Sequence, residues 1–237
     1  MPRRFTARFS ESAEDIRQAQ ALRARVFRQG QGDADGFDAR CQHVLVEDGL
    51  AGRIACTFRI QPFENGAEIS RSYAAQFYEL SALKGYKGKL VEMGRFCIDT
   101  DYNDPDILRA AWGAMTTYVD DHNVKMLFGC SSFHGAEAEA HLEAFALLKA
   151  RHLAPRKYLP KIKAPKVFRF ARLMRKPNLR AAQHAMPPLL RTYLAMGGWT
   201  SDHAVVDRDL NTLHVFTGLE IGAIPAGRKR LLRAVAG

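Results

Sequence analysis

The chain has 237 residues, a formal net charge of +10 and a hydrophobic fraction of 47%. These values predict a globular protein with a sizeable core, organised as one large domain or two small ones. The sequence contains no apolar run long enough to span a bilayer and no hydrophobic segment behind the N-terminal charges, so we expect neither a membrane-spanning helix nor a secretory signal. We therefore expect a cytoplasmic protein, or one that is peripheral at the inner face of the cytoplasmic membrane.

The first half of the chain predicts one long helix, three strands and one short helix. Ser12-x-x-Asp15 resembles a capping box, and the apolar residues behind it recur at helical spacing from about 13 to 28. Residues 48–52 read as a hairpin turn between two of the strands. The pattern predicts strands at His43–Glu47, Ile54–Gln61 and Leu90–Ile98, and a short helix at Gln76–Leu83.

The second half predicts helices and strands around a basic connection at 155–178. Pro105 suits the first turn of a helix that runs to about residue 122, and Pro187-Pro188 opens another helix. The remaining predicted elements are a strand at Lys125–Ser132, helices at Ala136–Arg151 and Leu189–Met196, and a hairpin of Asp202–Val206 with Thr212–Phe216. A basic tail at 222–237 follows.

This order of elements predicts an α+β fold with three α/β/α layers, in which helices flank a mixed central sheet. Leu90–Ile98 is the expected central strand, and Lys125–Ser132 is its expected parallel neighbour across a helical crossover. We predict that residues 1–221 form a single domain.

The strand Leu90–Ile98 carries two opposite charges, Glu92 and Arg95, among apolar residues. A buried carboxylate and a buried guanidinium are costly unless they are paired or have a chemical task. One interpretation is a structural ion pair on the strand. The other is that Glu92 activates a nucleophilic amine beside a bound acyl donor.

Other candidate residues precede this strand. Asp35 and Asp38 lie in a glycine-rich loop, where they either hold a cationic substrate and tie down Arg23 or Arg59, or cap the loop and form surface salt bridges. Arg23 shares a helix face with Phe27, and its guanidinium suits a bidentate grip on a carboxylate, with an exposed surface arginine as the alternative. His43 reads as a hydrogen-bonded structural histidine rather than a proton carrier.

Cysteines and histidines show no spacing typical of a metal site. Cys41, Cys56, Cys97 and Cys130 have strand-like apolar neighbours and no CxxC spacing, which predicts buried reduced thiols. We expect no metal and no resident cofactor.

The segment from Arg156 to Lys176 is rich in lysine and arginine and contains no acidic residue. Such a segment suits an acidic protein or an anionic lipid surface, and a solvated basic surface is the alternative. Nucleic acid is not an expected partner, because no nucleic-acid-binding motif accompanies the charge. The candidate docking residues are Lys157, Lys161, Lys163, Lys166, Arg169 and Arg172.

Four short motifs in this order resemble the acyl-homoserine-lactone synthases, which have the GNAT acyltransferase fold and take acyl chains from acyl carrier protein. The motifs are Leu22-Arg23-x-x-x-Phe27, Asp35-x-x-Asp38, Phe58-Arg59-x-x-Pro62 and Glu92-x-x-Arg95-Phe96. Longer stretches resemble a sister family, the L-ornithine Nα-acyltransferases. These stretches are 37–43, 92–97, 127–135 and Pro187-Pro188-Leu189-Leu190-Arg191-x-Tyr193-Leu194, and the last is absent from the lactone synthases.

The resemblance, which covers roughly residues 20 to 221, implies that the α-amine of L-ornithine attacks the thioester of a 3-hydroxyacyl-acyl carrier protein to give lyso-ornithine lipid. Glu92 is then the expected base, and backbone N–H groups near Cys97 and Ile98 are the expected oxyanion donors. Cys130 and Ser131 are candidates to bind the pantetheine arm. The expected substrate-binding residues are Arg23, Phe27, Asp35, Asp38, Arg59 and Arg95.

The stretch from Ile98 to Trp112 bears on the acyl donor, because GNAT enzymes that use coenzyme A usually carry a glycine-rich pyrophosphate loop there. This stretch has no glycine and four aspartates, which would repel a pyrophosphate. We therefore expect a carrier-borne phosphopantetheine donor, with the basic segment meeting either the carrier or an anionic membrane. Two alternatives remain: a lactone synthase that uses S-adenosylmethionine, and a non-catalytic GNAT-like module that binds lipid or a carrier.

Overall fold

The computed structural model describes residues 3–236, with side chains described to residue 234. Eleven strands occur in this range: β1 (Phe5–Phe9), β2 (Gln42–Asp48), β3 (Arg53–Phe63), β4 (Tyr78–Glu79), β5 (Leu90–Ile98), β6 (Met126–His134), β7 (Lys161–Ile162), β8 (Val167–Phe168), β9 (Trp199–Thr200), β10 (Ala204–Asp207) and β11 (Thr212–Glu220). The α-helices of the same range are α1 (Ala13–Arg28), α2 (Pro105–Asp121), α3 (Leu142–Arg151), α4 (Leu179–Ala185), α5 (Pro188–Ala195) and α6 (Ala226–Ala236).

The chain forms two compact units, each built from separate segments. Within the described residues, unit 1 comprises 3–62, 93–124 and 226–236, and unit 2 comprises 63–92 and 125–225. Strand β5 therefore contributes its first three residues to unit 2 and its last six to unit 1.

Unit 1 contains the strand order β1-β2-β3-β5 together with α1, α2 and α6. The capping box predicted at the start of α1 is confirmed: Ser12 Oγ accepts from Asp15 N at 3.1 Å, and the Asp15 carboxylate accepts from Ser12 N at 3.2 Å. Strands β1, β2 and β3 pair antiparallel. The carbonyl of Ala55 in β3 accepts from the amide of Asp99, which follows β5, so these strands also run in opposite directions.

Unit 2 contains the strand order β5-β6-β11-β10-β8, with β9 beside β11 and a separate pair of β4 with β7. The Lys89 carbonyl accepts from the amides of Lys125 and Met126, so β5 and β6 start side by side and run parallel, as predicted. Strand β11 pairs antiparallel with β6 over its whole length. The sheet is therefore mixed, and helices flank it, which confirms the predicted fold class.

Two predicted helices need correction. Gln76–Leu83 is not a helix but two 3-10 turns around β4. The reason is that Tyr78 pairs with Ile162 as part of a strand and its ring is buried. The Tyr78 hydroxyl donates to the His214 carbonyl at 2.7 Å. The helix expected from residue 136 starts at Leu142, after a 3-10 turn. The sequence also did not predict β1, α4, α6 or the short strands β7, β8 and β9, and α6 occupies most of the segment expected as a basic tail.

In the described part of the chain, no helix has the length and apolar character needed to cross a membrane. The division into one domain at 1–221 and a tail stays a prediction.

Candidate active site

Three arginines and three aspartates form an ion-pair cluster in unit 1. They come from α1, from the loop after it, from β3 and from β5, so four separate segments supply the charges. The ion-pair cluster consists of Arg23, Asp33, Asp35, Asp38, Arg59 and Arg95. Five of these residues were predicted from the sequence, and Asp33 was missed although it lies in the same glycine-rich acidic loop.

Arg23 is the innermost cation of the cluster, with only 1% of its side chain exposed. Its Nε lies 2.7 Å from Asp33 Oδ2 and its Nη1 lies 2.7 Å from Asp38 Oδ1. Its Nη2 donates to the Asp33 carbonyl at 2.5 Å. The guanidinium is thus engaged by the protein itself and holds the acidic loop against α1, while a direct grip on a substrate carboxylate stays a prediction.

Asp38 links two arginines at the centre of the cluster. Arg59 Nη1 lies 2.5 Å from Asp38 Oδ1, beside the bond from Arg23, and Gln20 Nε2 donates to Oδ2 at 2.9 Å. Burial alone raises the pKa of Asp38, but the hydrogen bonds and charges of Arg23 and Arg59 outweigh it and hold the pKa well below its usual range. The carboxylate therefore stays ionised, and the prediction that the aspartates tie down Arg23 and Arg59 is confirmed.

Asp35 and Arg95 form the outer part of the cluster. The Asp35 side chain is 25% exposed, whereas those of Asp33 and Asp38 are 2% and 7% exposed. Arg59 grips Asp35 through two bonds of 2.6 and 2.8 Å, and Arg95 Nη2 lies 3.3 Å away. Asp35 is thus the cluster carboxylate that solvent reaches, which suits contact with a substrate ammonium.

Arg95 has an unusual backbone for a residue of a strand, with φ of +53°. A left-handed conformation costs a non-glycine residue of order 1 to 3 kcal/mol and persists where the surrounding structure demands it. The ion pairs of the Arg95 side chain account for this conformation. This backbone places Arg95 Nε 3.5 Å from Asp33 and Nη2 beside Asp35.

Two further candidate residues, His43 and Phe27, lie in unit 1. His43 is 1% exposed, and its Nε2 lies 3.3 Å from the Asp38 carbonyl. Burial lowers the pKa of His43 and keeps the imidazole neutral, as expected of a hydrogen-bonded structural histidine. Phe27 lies half-buried on α1 one turn after Arg23, and its contact with substrate stays a prediction.

Glu92 belongs to unit 2 and is 4% exposed. Its Oε2 accepts from the amide of Tyr73 and its Oε1 from the amide of Ala74, both at 2.7 Å. These amides stand at the start of a 3-10 turn, Ala74–Gln76. The carboxyl is therefore buried, which is compatible with a base role, and it also fixes a backbone segment that no sequence pattern places beside it.

The segment that Glu92 fixes is held at its other end by β11. The Phe77 ring packs edge-on against the His214 ring at 5.0 Å. Tyr78 Oη lies 3.1 Å from His214 Nδ1. Lys163, one of the candidate docking residues, is exposed and donates from Nζ to the Ala75 carbonyl at 2.6 Å, so it also holds this segment, while its contact with a partner stays a prediction.

The candidate donor-site residues occupy β5 and β6. Burial raises the pKa of the Cys97 thiol to about 12, which keeps it protonated and unsuited to nucleophilic attack. Ser131 is 6% exposed and its Oγ accepts from Thr217 Oγ1 at 2.9 Å, so its hydroxyl already has an internal partner. Oxyanion donation at Cys97 and Ile98 and pantetheine binding at Cys130 and Ser131 stay predictions.

The prediction of four buried thiols is half right. All four cysteines are free, and Cys56 and Cys97 are buried. Cys41 and Cys130 are only half-buried, because Cys41 ends a 3-10 turn rather than lying in a strand and Cys130 lies at the edge of its apolar cluster.

The loop after β5 is occupied by carboxylates that bond its own amides. Asp104 Oδ1 caps α2 by accepting from Asp106 N at 3.0 Å, and Asp99 Oδ1 accepts from Asp101 N at 3.2 Å. Arg25 pairs with Asp99 at 2.9 Å. An incoming pyrophosphate would meet negative charge at this helix start instead of free N–H groups.

The remaining candidate docking residues lie on the surface of unit 2. They are exposed, as expected of a docking surface: Lys157, Lys161, Lys166, Arg169 and Arg172. Among the residues described, no group of three or more histidine, cysteine, aspartate or glutamate side chains is placed to hold a metal ion.

Known proteins match most of the length of this chain. The chain is 31% identical over 242 residues to the L-ornithine N(alpha)-acyltransferase of Rhodobacter capsulatus, which covers 94% of this chain and 92% of that one. It belongs to the L-ornithine Nα-acyltransferase family. The enzyme of the same name from Brucella abortus is 31% identical over 239 residues, covering 92% of this chain and 84% of that one.

Fold comparisons agree with this membership. Residues 17–113 match the model of the Acetyltransferase (GNAT) domain. The structure of FeeM, an N-acyl amino acid synthase from uncultured soil microbes, superposes with a TM-score of 0.53 at 12% identity, covering 100% of this chain and 98% of that one. BjaI, a CoA-dependent acyl-homoserine lactone synthase, gives a TM-score of 0.52 at 12% identity, covering 95% and 83%. The GNAT fold and the resemblance to the ornithine enzymes are confirmed.

Proposed function

We propose that this protein transfers a 3-hydroxyacyl chain from acyl carrier protein to the α-amine of L-ornithine, giving lyso-ornithine lipid. The observation that carries the proposal is the 31% identity to an L-ornithine N(alpha)-acyltransferase over 94% of the chain. The ion-pair cluster supports a cationic amino acid as acceptor, because Asp35 is its solvent-reaching carboxylate. Asp38 and Arg59 both contact Asp35 and hold it in place.

The chemistry needs a neutral amine, an acceptor for its proton and donors for the oxyanion. The α-amine has a reference pKa of about 8 and is mostly protonated at neutral pH. After deprotonation its nitrogen attacks the thioester carbonyl carbon, and the tetrahedral intermediate collapses by breaking the C–S bond. The ammonium first releases one proton to solvent; Glu92 takes a second proton from the attacking nitrogen, directly or through a water, and the departing pantetheine thiolate receives that second proton.

Two features of Glu92 act on its basicity in opposite directions. Burial disfavours the carboxylate anion and makes the group a better proton acceptor, whereas the two amide hydrogen bonds stabilise the anion. The same bonds also fix Tyr73 and Ala74. An experiment on Glu92 must therefore distinguish a base from an anchor.

The carrier-borne donor is supported by charge. The carboxylates around Asp104 suit a donor without a pyrophosphate, and phosphopantetheine on a carrier brings one phosphate. Acyl carrier protein is acidic, and the exposed cations from Lys157 to Arg172 offer it an opposite charge.

The donor test offers the full-length protein L-ornithine with either 3-hydroxyacyl-acyl carrier protein or the same acyl chain on coenzyme A. We expect an amide product by mass spectrometry with the carrier and little with coenzyme A. A lactone formed only with S-adenosylmethionine would replace the proposal by a lactone synthase. No amide with any amino acid would leave a non-catalytic module.

The test of the base compares Glu92→Gln with Glu79→Gln in the same unit. Glu79 also accepts from a backbone amide at the start of a 3-10 turn, Ser81 N at 2.8 Å, but has no proposed chemical task. We expect Glu92→Gln to lose about 10²- to 10⁴-fold in kcat and to flatten the acid limb of the pH–rate profile. Glu79→Gln should keep the kcat and the pH–rate profile of the parent. Turnover of Glu92→Gln near the parent value would remove Glu92 from the mechanism.

A further inference from the structure

The part of the chain from residue 144 to residue 201 contains no aspartate or glutamate. Within it, a loop at 173–178 joins a 3-10 turn to α4 in unit 2. Met174 in this loop is 99% exposed, and Leu179 at the start of α4 is 44% exposed. Apolar side chains this exposed, set among basic residues, indicate a surface that a partner covers.

Hydrogen bonds and an ion pair hold this exposed loop in place. Lys149 Nζ donates to the Leu173 carbonyl at 2.5 Å, directly before Met174. Glu143 accepts from Asn178 N at 2.7 Å and pairs with Arg175 on the other side of the tip. These contacts hold the residues that flank Met174, so its side chain is presented to solvent by a fixed backbone.

A shallow hollow of about 550 Å³ lies next to this loop. No acidic side chain lines it, and two of its lining residues are the exposed arginines Arg180 and Arg191. Arg191 bonds the Gln183 carbonyl at 3.4 Å, and His184 stands beside it. Two guanidinium groups around an acid-free hollow supply the positive charge and the N–H donors that bind a phosphate group.

We propose that residues 173–191 dock the protein on an anionic phospholipid bilayer. Met174 and Leu179 enter the interface between headgroups and acyl chains, and Lys176, Arg180 and Arg191 lie at the level of the phosphates. A projecting apolar tip fits a deformable lipid layer, whereas a protein partner would need a pocket shaped for it. Attraction between basic side chains and anionic lipid adds to the apolar contact.

The test measures binding of the full-length protein to vesicles of phosphatidylcholine alone and to vesicles that also contain phosphatidylglycerol. We expect sedimentation with the anionic vesicles only, and a loss of binding between about 0.1 and 0.5 M salt as the charges are screened. Binding to neutral and anionic vesicles alike, or to neither, would overturn the proposal.

Variants locate the surface. Lys176→Gln with Arg180→Gln should weaken vesicle binding about 25-fold, since each basic residue near an anionic surface contributes about fivefold. Met174→Ser should weaken it about tenfold by removing apolar contact. The matched controls are Lys87→Gln, an exposed cation, and Leu50→Ser, a side chain that is 83% exposed in the turn between β2 and β3. Both controls should bind as the parent does.

Vesicle affinity within twofold of the parent for both sets of variants would overturn the proposal. The acyl transfer assay without lipid distinguishes a membrane surface from a carrier-binding surface. If Lys176→Gln/Arg180→Gln raised the KM for acyl carrier protein and left vesicle binding unchanged, this surface would bind the carrier instead. Because vesicle binding needs no turnover, a protein that fails to acylate ornithine would leave the membrane result standing.

Discussion

The two units treat charge in different ways. Unit 1 buries ionised groups and matches them, as in the chain of contacts from Arg23 through Asp38 to Arg59. Unit 2 buries ionisable groups that stay neutral, such as Tyr78, whose pKa burial raises, and His214, whose pKa burial lowers to about 4. Many of its cations lie on the surface along 144–201, a stretch of chain that carries no acid.

The difference indicates two uses of charge. A matched buried cluster fixes geometry, since moving one member leaves the others unpaired at a high cost. Surface cations that bond no group of the protein itself remain available to an anionic partner. The chemistry of a cationic acceptor therefore fits unit 1, and recognition of anionic surfaces fits unit 2. Glu92 is the exception in unit 2, a buried carboxylate supported by amides.

The largest expected effect is the loss of a charge from the ion-pair cluster. Asp38→Asn removes the carboxylate that Arg23 and Arg59 share, so we expect the free energy of unfolding to fall by about 3 to 5 kcal/mol. Urea unfolding measures this change. Asp101→Asn is the control, because its ion pair with Arg53 is exposed on both sides and should matter little. Equal losses in the two variants would contradict the structural role of the cluster.

Acid acts on the same cluster. The pKa values of Asp35 and Asp38 lie below their usual range in the folded protein, although burial alone raises them. Their stabilisation is therefore present above the unfolded pKa of about 4 and is lost as the pH falls further. The free energy of unfolding of the parent should drop steeply from pH 4 to pH 3, and Asp38→Asn should show a shallower slope.

Sequence patterns predicted the parts of this cluster that depend on local spacing. The capping box fixed the start of α1, and the order of arginines and aspartates named five of the six members. Asp33 was missed because nothing local separates it from Asp35; only the folded loop turns Asp33 inward and Asp35 outward. No local pattern predicts the bond from Lys163 to the Ala75 carbonyl, because the two residues are distant in sequence.

The neutral interior of unit 2 was harder to predict for the same reason. The residues around Tyr78 favour a short helix, whereas its partners in the fold, Ile162 and His214, are far along the chain. The amides of Tyr73 and Ala74 bind Glu92 through contacts that no side-chain pattern encodes.

The second largest effect tests that neutral interior. His214 has a pKa of 6.5 in the unfolded chain and a pKa of about 4 in the folded protein. Between these pH values the unfolded chain therefore binds a proton that the folded protein does not bind. Its contribution is constant above pH 7, and stability falls as the pH drops through the window from 6.5 to 4. We expect the parent to lose about 2 kcal/mol between pH 7 and pH 5 from this group.

Urea unfolding at both pH values checks this, with His214→Gln expected to lose about that much of the pH dependence. His134→Gln, a change at an exposed histidine of β6, is the control and should keep the parent slope. An unchanged slope in His214→Gln would mean that the imidazole is already charged or accessible in the folded protein.

The third effect separates the outer part of the cluster from its centre. Asp35→Asn removes the carboxylate that solvent reaches, so we expect KM for L-ornithine to rise about tenfold, which corresponds to about 1.4 kcal/mol, with a smaller loss of stability than Asp38→Asn. Steady-state kinetics with ornithine checks the first part. A lost charge contact should matter less for L-glutamine, so equal relative losses with both amino acids would argue against binding of the ornithine cation at Asp35.

The smallest effect is expected at the surface of unit 2. Lys176 and Arg180 are exposed, and no acid lies between residues 144 and 201 to pair with them from their own stretch of chain. Replacing both by glutamine should leave the free energy of unfolding within about 0.5 kcal/mol of the parent, because no buried partner loses a charge. The same two changes should weaken vesicle binding. If this variant instead unfolded as readily as Asp38→Asn, these cations would support the fold, and the contrast between buried matched charge and unmatched surface charge would fail.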